Sequence, residues 1–247
     1  MAILPPTAQP DPTLEAMDAA MVARQHTMPR REYLGMSAIG HPCSRKLWYD
    51  LNSPVREVFD AATLKRFEGG HAGEATMIVR LRLVEGITLL DVDPDTGRQW
   101  EYKDLGGRFC GHMDGAIHGL RQAPSTWHCY EHKQTNEKKQ TTLARLKASK
   151  GEKDALQAWD ETYYAQAVVY MHYSGLTRHY LTCSSPGERA TVSVRTDADP
   201  AHAARLRDKA ERILSARAPL ARISNDPSWF QCSWCGHHAR CHGEVQS

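Results

Sequence analysis

The chain has 247 residues, 41% of them hydrophobic, which is enough to bury a substantial core as one domain with at most a small appended lobe. No run of about 18 apolar residues occurs, so a transmembrane helix is not expected, and a formal net charge of +2 neither demands nor excludes a nucleic-acid partner. The first residues, MAILPPTAQPDPTLEAMD, carry prolines and acids where a signal peptide needs a basic end and an apolar stretch. Export is therefore not expected. A cytoplasmic protein with seven cysteines points to metal ligation plus buried thiols rather than to a disulfide framework.

In chain order, residues 1–30 are Pro-rich and weakly patterned and read as a mobile arm, leaving 31–247 as a single domain. MSAIGHPCSRKLWYDLN follows, with Ser37 as N-cap and Leu47, Trp48 and Leu51 at helical spacing. A long helical segment from about Val58 to Val84 is interrupted by Gly69 and Gly70. A strand-rich block comes next, ITLLDVD, RQWEYKD, GRFCGHMDGAIHG and TWHCYEHKQT, with turn signals at Asp95-Thr96-Gly97, Gly106-Gly107 and Gln122-Ala123-Pro124. LQAWDETYYAQAVVYMHYSG reads as an amphipathic helix closed by Gly175. Two more strands, TRHYLTCSS and RATVSVRT, precede a helix from about Pro200 to Ala218. There is no internal repeat. The order predicts an α/β (α+β mixed) fold, a central mixed sheet flanked by helices.

The cysteines are unevenly spread. Cys43 stands alone near the start, while Cys232, Cys235 and Cys241 form C-x2-C-x5-C near the end. Three thiolates at that spacing reach one metal centre and leave it a ligand short, which Cys43 can supply. Such a centre would join the ends, about 36–55 and 225–243, into one lobe. It would close a long loop whose entropy cost grows slowly with length, so binding energy becomes folding energy. Four sulfurs suit zinc or an iron-sulfur cluster, and His41, His237, His238 and His242 leave a mixed Cys/His zinc site open. Cys110, Cys129 and Cys183 lie in apolar, strand-like context and read as core thiols.

In TWHCYEHK, alternation puts Trp127, Cys129, Glu131 and Lys133 on one strand face and His128, Tyr130 and His132 on the other. The preceding strand delivers Asp114, with glycine beside it, as a second carboxylate. Two carboxylates are what Mg²⁺ or Mn²⁺ asks for, and an adjacent lysine can orient an attacking water and stabilise a pentacovalent phosphate. E-x-K occurs three times, at Glu101-Lys103, Glu131-Lys133 and Glu137-Lys139. The middle copy is favoured because an apolar strand leads into it, Asp114 precedes it, and a helix carrying Gln166 and Tyr170 follows. Local charge adds to this. Residues 133–153 hold seven cations against two acids, or +5, and residues 205–222 hold six against two, or +4. Such stretches can track a phosphate backbone.

GHMDG, YEHK and YYAQAVVY together resemble the D...E-x-K...Q-x-x-x-Y series of RecB-like nucleases in the PD-(D/E)XK superfamily. Cys43 with C-x2-C-x5-C resembles their iron-sulfur branch, which includes AddB-type helicase-nucleases, CRISPR adaptation nucleases and phage exonucleases. The resemblance spans about Met36 to His242. It implies a restriction-endonuclease-like core with an iron-sulfur-stapled lobe, Asp114 and Glu131 as metal ligands with the backbone carbonyl of His132, and Lys133 as the catalytic lysine. It further implies His71 as a ligand from an early helix, with Gln166 and Tyr170 steadying the lysine and touching DNA. Glu74, on the same helical face as His71, reads as a solvated acid. Arg45 fits the family's C-x-R signature, and Arg45, Lys138, Lys139, Arg145 and Lys147 are the expected DNA contacts, the segment 133–153 forming a loop or short helices that grip the strand.

The resemblance favours a 4Fe-4S cluster over zinc and implies a Mg²⁺- or Mn²⁺-dependent DNA exonuclease, phage or bacterial, in recombination, repair or replication-linked processing. A CRISPR-type end-trimming nuclease, an endonuclease and a catalytically idle single-strand DNA binding module are the alternatives. Expected partners are DNA, single-stranded or with free ends, and a single-strand annealing or binding protein, with no membrane.

Overall fold

In the computed structural model the described residues are 11–53, 58–187 and 189–243. The first element is a helix within the expected arm. Asp11 accepts hydrogen bonds from the Thr13 and Leu14 backbone N–H groups and Pro12 fills the first turn, which starts helix α1 (Pro12–Thr27). Its apolar stripe is weak, and a tertiary contact holds it. The buried Gln25 amide donates to the Phe59 carbonyl at 2.7 Å and accepts from the Phe59 N–H at 3.0 Å. The expected arm at residues 1–10 lies outside the described residues.

Strand β1 (Leu34–Gly35) leads through a 3-10 turn at Met36–Ala38 to α2 (Ser44–Asn52). Cys43, not Ser37, is the N-cap of α2, its sulfur accepting from the Lys46 N–H. The long helix α3 (Ala61–Arg82) runs unbroken through Gly69 and Gly70. The strands are β2 (Thr88–Leu90), β3 (Trp100–Asp104), β4 (Phe109–Met113), β5 (Gly115–His118) and β6 (His128–Gln134). The segment after β6 is one 14-residue helix, α4 (Glu137–Lys150), capped by Asn136, rather than a loop or short helices. The expected helix from Leu156 splits into α5 (Ala155–Trp159) and α6 (Glu161–Ser174). Extended Asp160 separates them because its carboxylate caps α6 by accepting from Thr162 and Tyr163. Gly175, at φ +73°, closes α6. Strands β7 (Arg178–Ser184) and β8 (Thr191–Asp197), then α7 (Pro200–Ser215), α8 (Phe230–Ser233) and α9 (His238–His242), complete the chain.

The fold is mixed α/β, with its strands in two sheets instead of one. A five-stranded sheet runs β2-β5-β6-β7-β8 and a three-stranded sheet β1-β4-β3. In the larger sheet β6 and β7 are parallel, joined by the α4–α6 crossover, and the other pairs are antiparallel. The chain changes sheets at Asp114, between β4 and β5. Glycine on each side permits this. A Cβ on Gly115 would stand 2.8 Å from the Leu90 carbonyl of β2, and one on Gly111 would stand 2.6 Å from Met36 Cβ and 2.8 Å from the Tyr170 ring.

Each face of the larger sheet has its own core. Cys129, Leu181 and Cys183 pack with Val168, Val169 and Met171 of α6 and with Leu206 of α7. Ile117, Tyr130 and Tyr180 pack against Met77 and Ile78 of α3. The ends of the fold meet around α2. The Trp48 indole N–H donates to the Ala216 carbonyl at 2.9 Å, and Arg240 donates to Ser53 at 2.7 Å. Among the described residues, no helix is long and apolar enough to cross a membrane.

Gly111 and Gly70 should respond oppositely to alanine. Gly111→Ala forces apart a packed contact and is expected to lower stability by about 1–3 kcal/mol. Gly70→Ala adds a methyl to a helix interior with nothing within 4 Å and should raise it by about 0.5–1 kcal/mol. Urea midpoints of the two variants check both signs.

Candidate active site

A cleft of about 760 Å³ opens between α3, the end of β4, β6 and α6. Its floor follows from the strand register. β5 pairs with β6 only as far as Gly115 opposite Tyr130. Past that point no strand among the described residues lies beside the β5 edge of β6, and the Asp114 carboxylate takes its place by accepting the His132 backbone N–H at 2.9 Å. N–H and carbonyl of one strand residue leave on the same side, so the His132 carbonyl also faces the Asp114 edge. The His132 imidazole turns the other way, bonding Thr182 at 2.9 Å and Ser184 at 3.1 Å on β7. Burial and the charges of Lys133 and Arg80 lower its pKa to about 4, so the ring is neutral.

Glu131, 2% exposed, points to the α6 side of β6 together with Lys133. Its Oε1 accepts from the Gln166 amide at 2.7 Å and from the Lys133 ammonium. Its Oε2 is buried and meets no N–H or O–H donor among the described residues, while the Asp114 carboxylate lies within hydrogen-bond reach of the Glu131 side chain. Burial raises the pKa of Glu131 and the Asp114 charge adds to that, while burial likewise raises Asp114 against the pull of Lys133. Burial opposes the Lys133 ammonium, but Glu131 and Asp114 outweigh it and keep the lysine charged. The Tyr163 ring lies 5.3 Å from its Nζ.

His71 and Glu74 line the cleft from α3. Glu74 is half-buried rather than solvated, and burial followed by repulsion from Asp114 raises its pKa. Formally, Asp114, Glu131 and Glu74 against Lys133 leave a charge of −2 (three negative, one positive). An unpartnered buried carboxylate oxygen within that set fits a hard divalent cation with oxygen ligands. Gln166 and Tyr170 are 4% and 2% exposed, and Tyr170 lies under Gly111 at the cleft wall.

Several expected contacts are otherwise engaged. Lys139 is bound to Asp160 at 2.6 Å and sits over the Tyr163 and Trp159 rings. Lys147 donates to the Ser193 carbonyl of β8 at 2.6 Å. Arg45 donates to the Leu220 carbonyl and to the Tyr49 hydroxyl, both at 2.9 Å, and so serves the lobe rather than the cleft. Lys138 and Arg145, seven apart on α4, are exposed. Arg31 and Arg66 line the cleft unforeseen. Arg31 is the first residue after the supposed arm. Arg66 belongs to a stripe, Thr63, Arg66, Phe67, Gly70, His71 and Glu74, whose helical spacing marks one face of α3.

Cys43, Cys232, Cys235 and Cys241 are free thiols lining one pocket with His41, His237, His238 and His242. The His237 ring bonds Asp50 at 2.7 Å. Among the described residues, the set of three donor atoms lying within 4.8 Å of one another is elsewhere, at Glu101, Cys110 and His112. The other two E-x-K pairs are peripheral. Glu101 and Lys103 form an exposed pair on β3, and Glu137 opens α4.

No known family profile and no curated protein matches the chain. Among solved structures it is similar to the protein SSO0001, with TM-score 0.49 and 12% identity over 95% of this chain and 98% of that one. It is also similar to the alkaline exonuclease LHK-Exo from Laribacter hongkongensis, with TM-score 0.49 and 15% identity over 80% and 91%. A third is a phage-related exonuclease from Haemophilus somnus, with TM-score 0.45 and 13% identity over 69% and 77%.

Mg²⁺ or Mn²⁺ at about ten times its dissociation constant should stabilise the wild type by about 1.4 kcal/mol. That corresponds to a melting-temperature rise of about 3–6 °C. Glu131→Gln, which removes the free oxygen's charge, should abolish the rise in a thermal melt.

Proposed function

We propose that the chain is a metal-dependent deoxyribonuclease of exonuclease type on a restriction-endonuclease-like core, acting in DNA recombination, repair or replication-linked processing. One observation carries this reading. Glu131 commits Oε1 to Gln166 and Lys133 and holds Oε2 buried and unpartnered beside Asp114. A divalent ion bound there would acidify an attacking water and offset charge building on the phosphate. The chain's own groups do the rest. Gln166 fixes the Glu131 rotamer, and a hydrogen bond to a charged group of this kind contributes about 1.5–3 kcal/mol. Asp114 is oriented by the His132 N–H, and the His132 carbonyl is available as a further oxygen donor. Lys133 stays charged and can bind a non-bridging phosphate oxygen. His71 and Glu74 approach the same point from α3. Exposed Lys138 and Arg145 are suited to the incoming strand's phosphates, and the exonuclease type is the one that the motif series implies.

For the lobe we propose a 4Fe-4S cluster with a structural role. The four thiols line one pocket, and the cysteine spacing, with its resemblance to the iron-sulfur branch, supports the cluster over zinc.

End-labelled single- and double-stranded DNA with Mg²⁺ or Mn²⁺ tests the catalytic reading. The wild type should release nucleotides progressively from ends, and Lys133→Ala should lose about 10²–10⁴-fold in rate. Equal rates would remove Lys133 from the mechanism. Cys43→Ala, purified anaerobically, should lose iron and sulfide and aggregate. Soluble, cleavage-competent protein would remove the staple.

A further inference from the structure

Glu101, Cys110 and His112 lie outside the carboxylate centre and have no part in the function proposed above. β3 and β4 pair antiparallel with Glu101 opposite His112 and Lys103 opposite Cys110. Cys110 and His112, two apart on β4, therefore share a face, and Glu101 reaches both from across the pair. The other face of β4 is taken at Gly111 by Met36 and Tyr170. The geometry points to a binding site for a borderline, thiophilic divalent cation, Zn²⁺ above all, held by Glu101, Cys110 and His112.

Distances carry the assignment. A tetrahedral zinc with nitrogen and oxygen at about 2.0–2.1 Å and sulfur at about 2.3 Å sets its ligand atoms about 3.3–3.6 Å apart. The Cys110 sulfur lies 3.6 Å and the His112 Nε2 3.4 Å from one atom, Glu101 Oε1. All three donor atoms lie within 4.8 Å of one another. Lys103 holds the other carboxylate oxygen, Oε2, at 2.8 Å and so turns Oε1 toward the pair. The donor chemistry separates this site from the cleft's centre. Thiolate and imidazole select zinc, whereas the Asp114, Glu131 and Glu74 oxygens select magnesium or manganese. Binding expels the Cys110 thiol proton to solvent and forms a sulfur–zinc bond, with no change of oxidation state. Cys110 and His112 also line the cleft, so the ion would sit in its wall.

The test is zinc content per full-length chain, by elemental analysis after equilibration with Zn²⁺ and desalting. Wild type is compared with His112→Ala and Glu101→Gln. Any zinc taken by the lobe or by the carboxylates is common to all three proteins, so the difference reports this site. The wild type should retain one more equivalent than either variant. Equal zinc in all three would overturn the site. His112 and Glu101 are partly or fully exposed, and if one substitution perturbs folding, judged by its melting curve, the other gives the same reading.

Discussion

Two carboxylates are held at the bottom of a cleft where water cannot fully solvate them, and the fold is arranged around keeping them there. Glu131 is buried on the face of β6 that packs against α6, so its charge depends on Gln166 and Lys133. Asp114 sits at the point where the chain leaves one sheet for the other, its carboxylate standing in for a missing strand at the edge of β6. Removing one partner from a buried charged set typically costs about 3–5 kcal/mol, so α6, β6 and the sheet junction are fixed relative to one another by the same few contacts. The elevated carboxyl pKa values have one origin, burial of like charges with too few cations, a deficit that a bound divalent ion would relieve.

The surroundings support this centre without entering it. The neutral His132 ring ties β6 to β7 through Thr182 and Ser184, which leaves its backbone free to face the cleft. Tyr163 links the Lys133 ammonium to Lys139, and Lys139 links α4 to the cap of α6 through Asp160. At the far end, α2 and the tail close on each other through Trp48, Arg45, Asp50 and Arg240. The four thiols lie within that closure.

What could be read from the sequence was what depends on local periodicity. Alternation along TWHCYEHK separated Cys129, Glu131 and Lys133 from Tyr130, and the two cores divide at the same residues. The Gly175 stop of α6 was legible for the same reason. Features that depend on tertiary partners were not. Helix α1 has an Asp-Pro start signal but weak apolar patterning, and its anchor is a contact between Gln25 and Phe59. The split of the sheet at Asp114 needs β2 and the Met36 turn to pack against glycines far away in sequence. Counting charges flagged Lys139 and Lys147 as surface cations, but Asp160 and the Ser193 carbonyl engage them across the fold. Nothing in the local spacing marks Glu74 as buried, because its neighbour Asp114 is forty residues away in sequence. The cleft-facing stripe on α3, by contrast, is present in the spacing alone.

The most direct test of the central claim is to locate the ion itself. Crystals of the full chain soaked in Mn²⁺ and measured at the manganese absorption edge should show an anomalous peak bridging Asp114 and Glu131 Oε2, at about 2.0–2.6 Å from each oxygen. Such a peak would identify the unpartnered oxygen as a ligand atom. A cleft open to solvent, with Mn²⁺ bound elsewhere and Glu131 Oε2 still without a partner, would contradict the account.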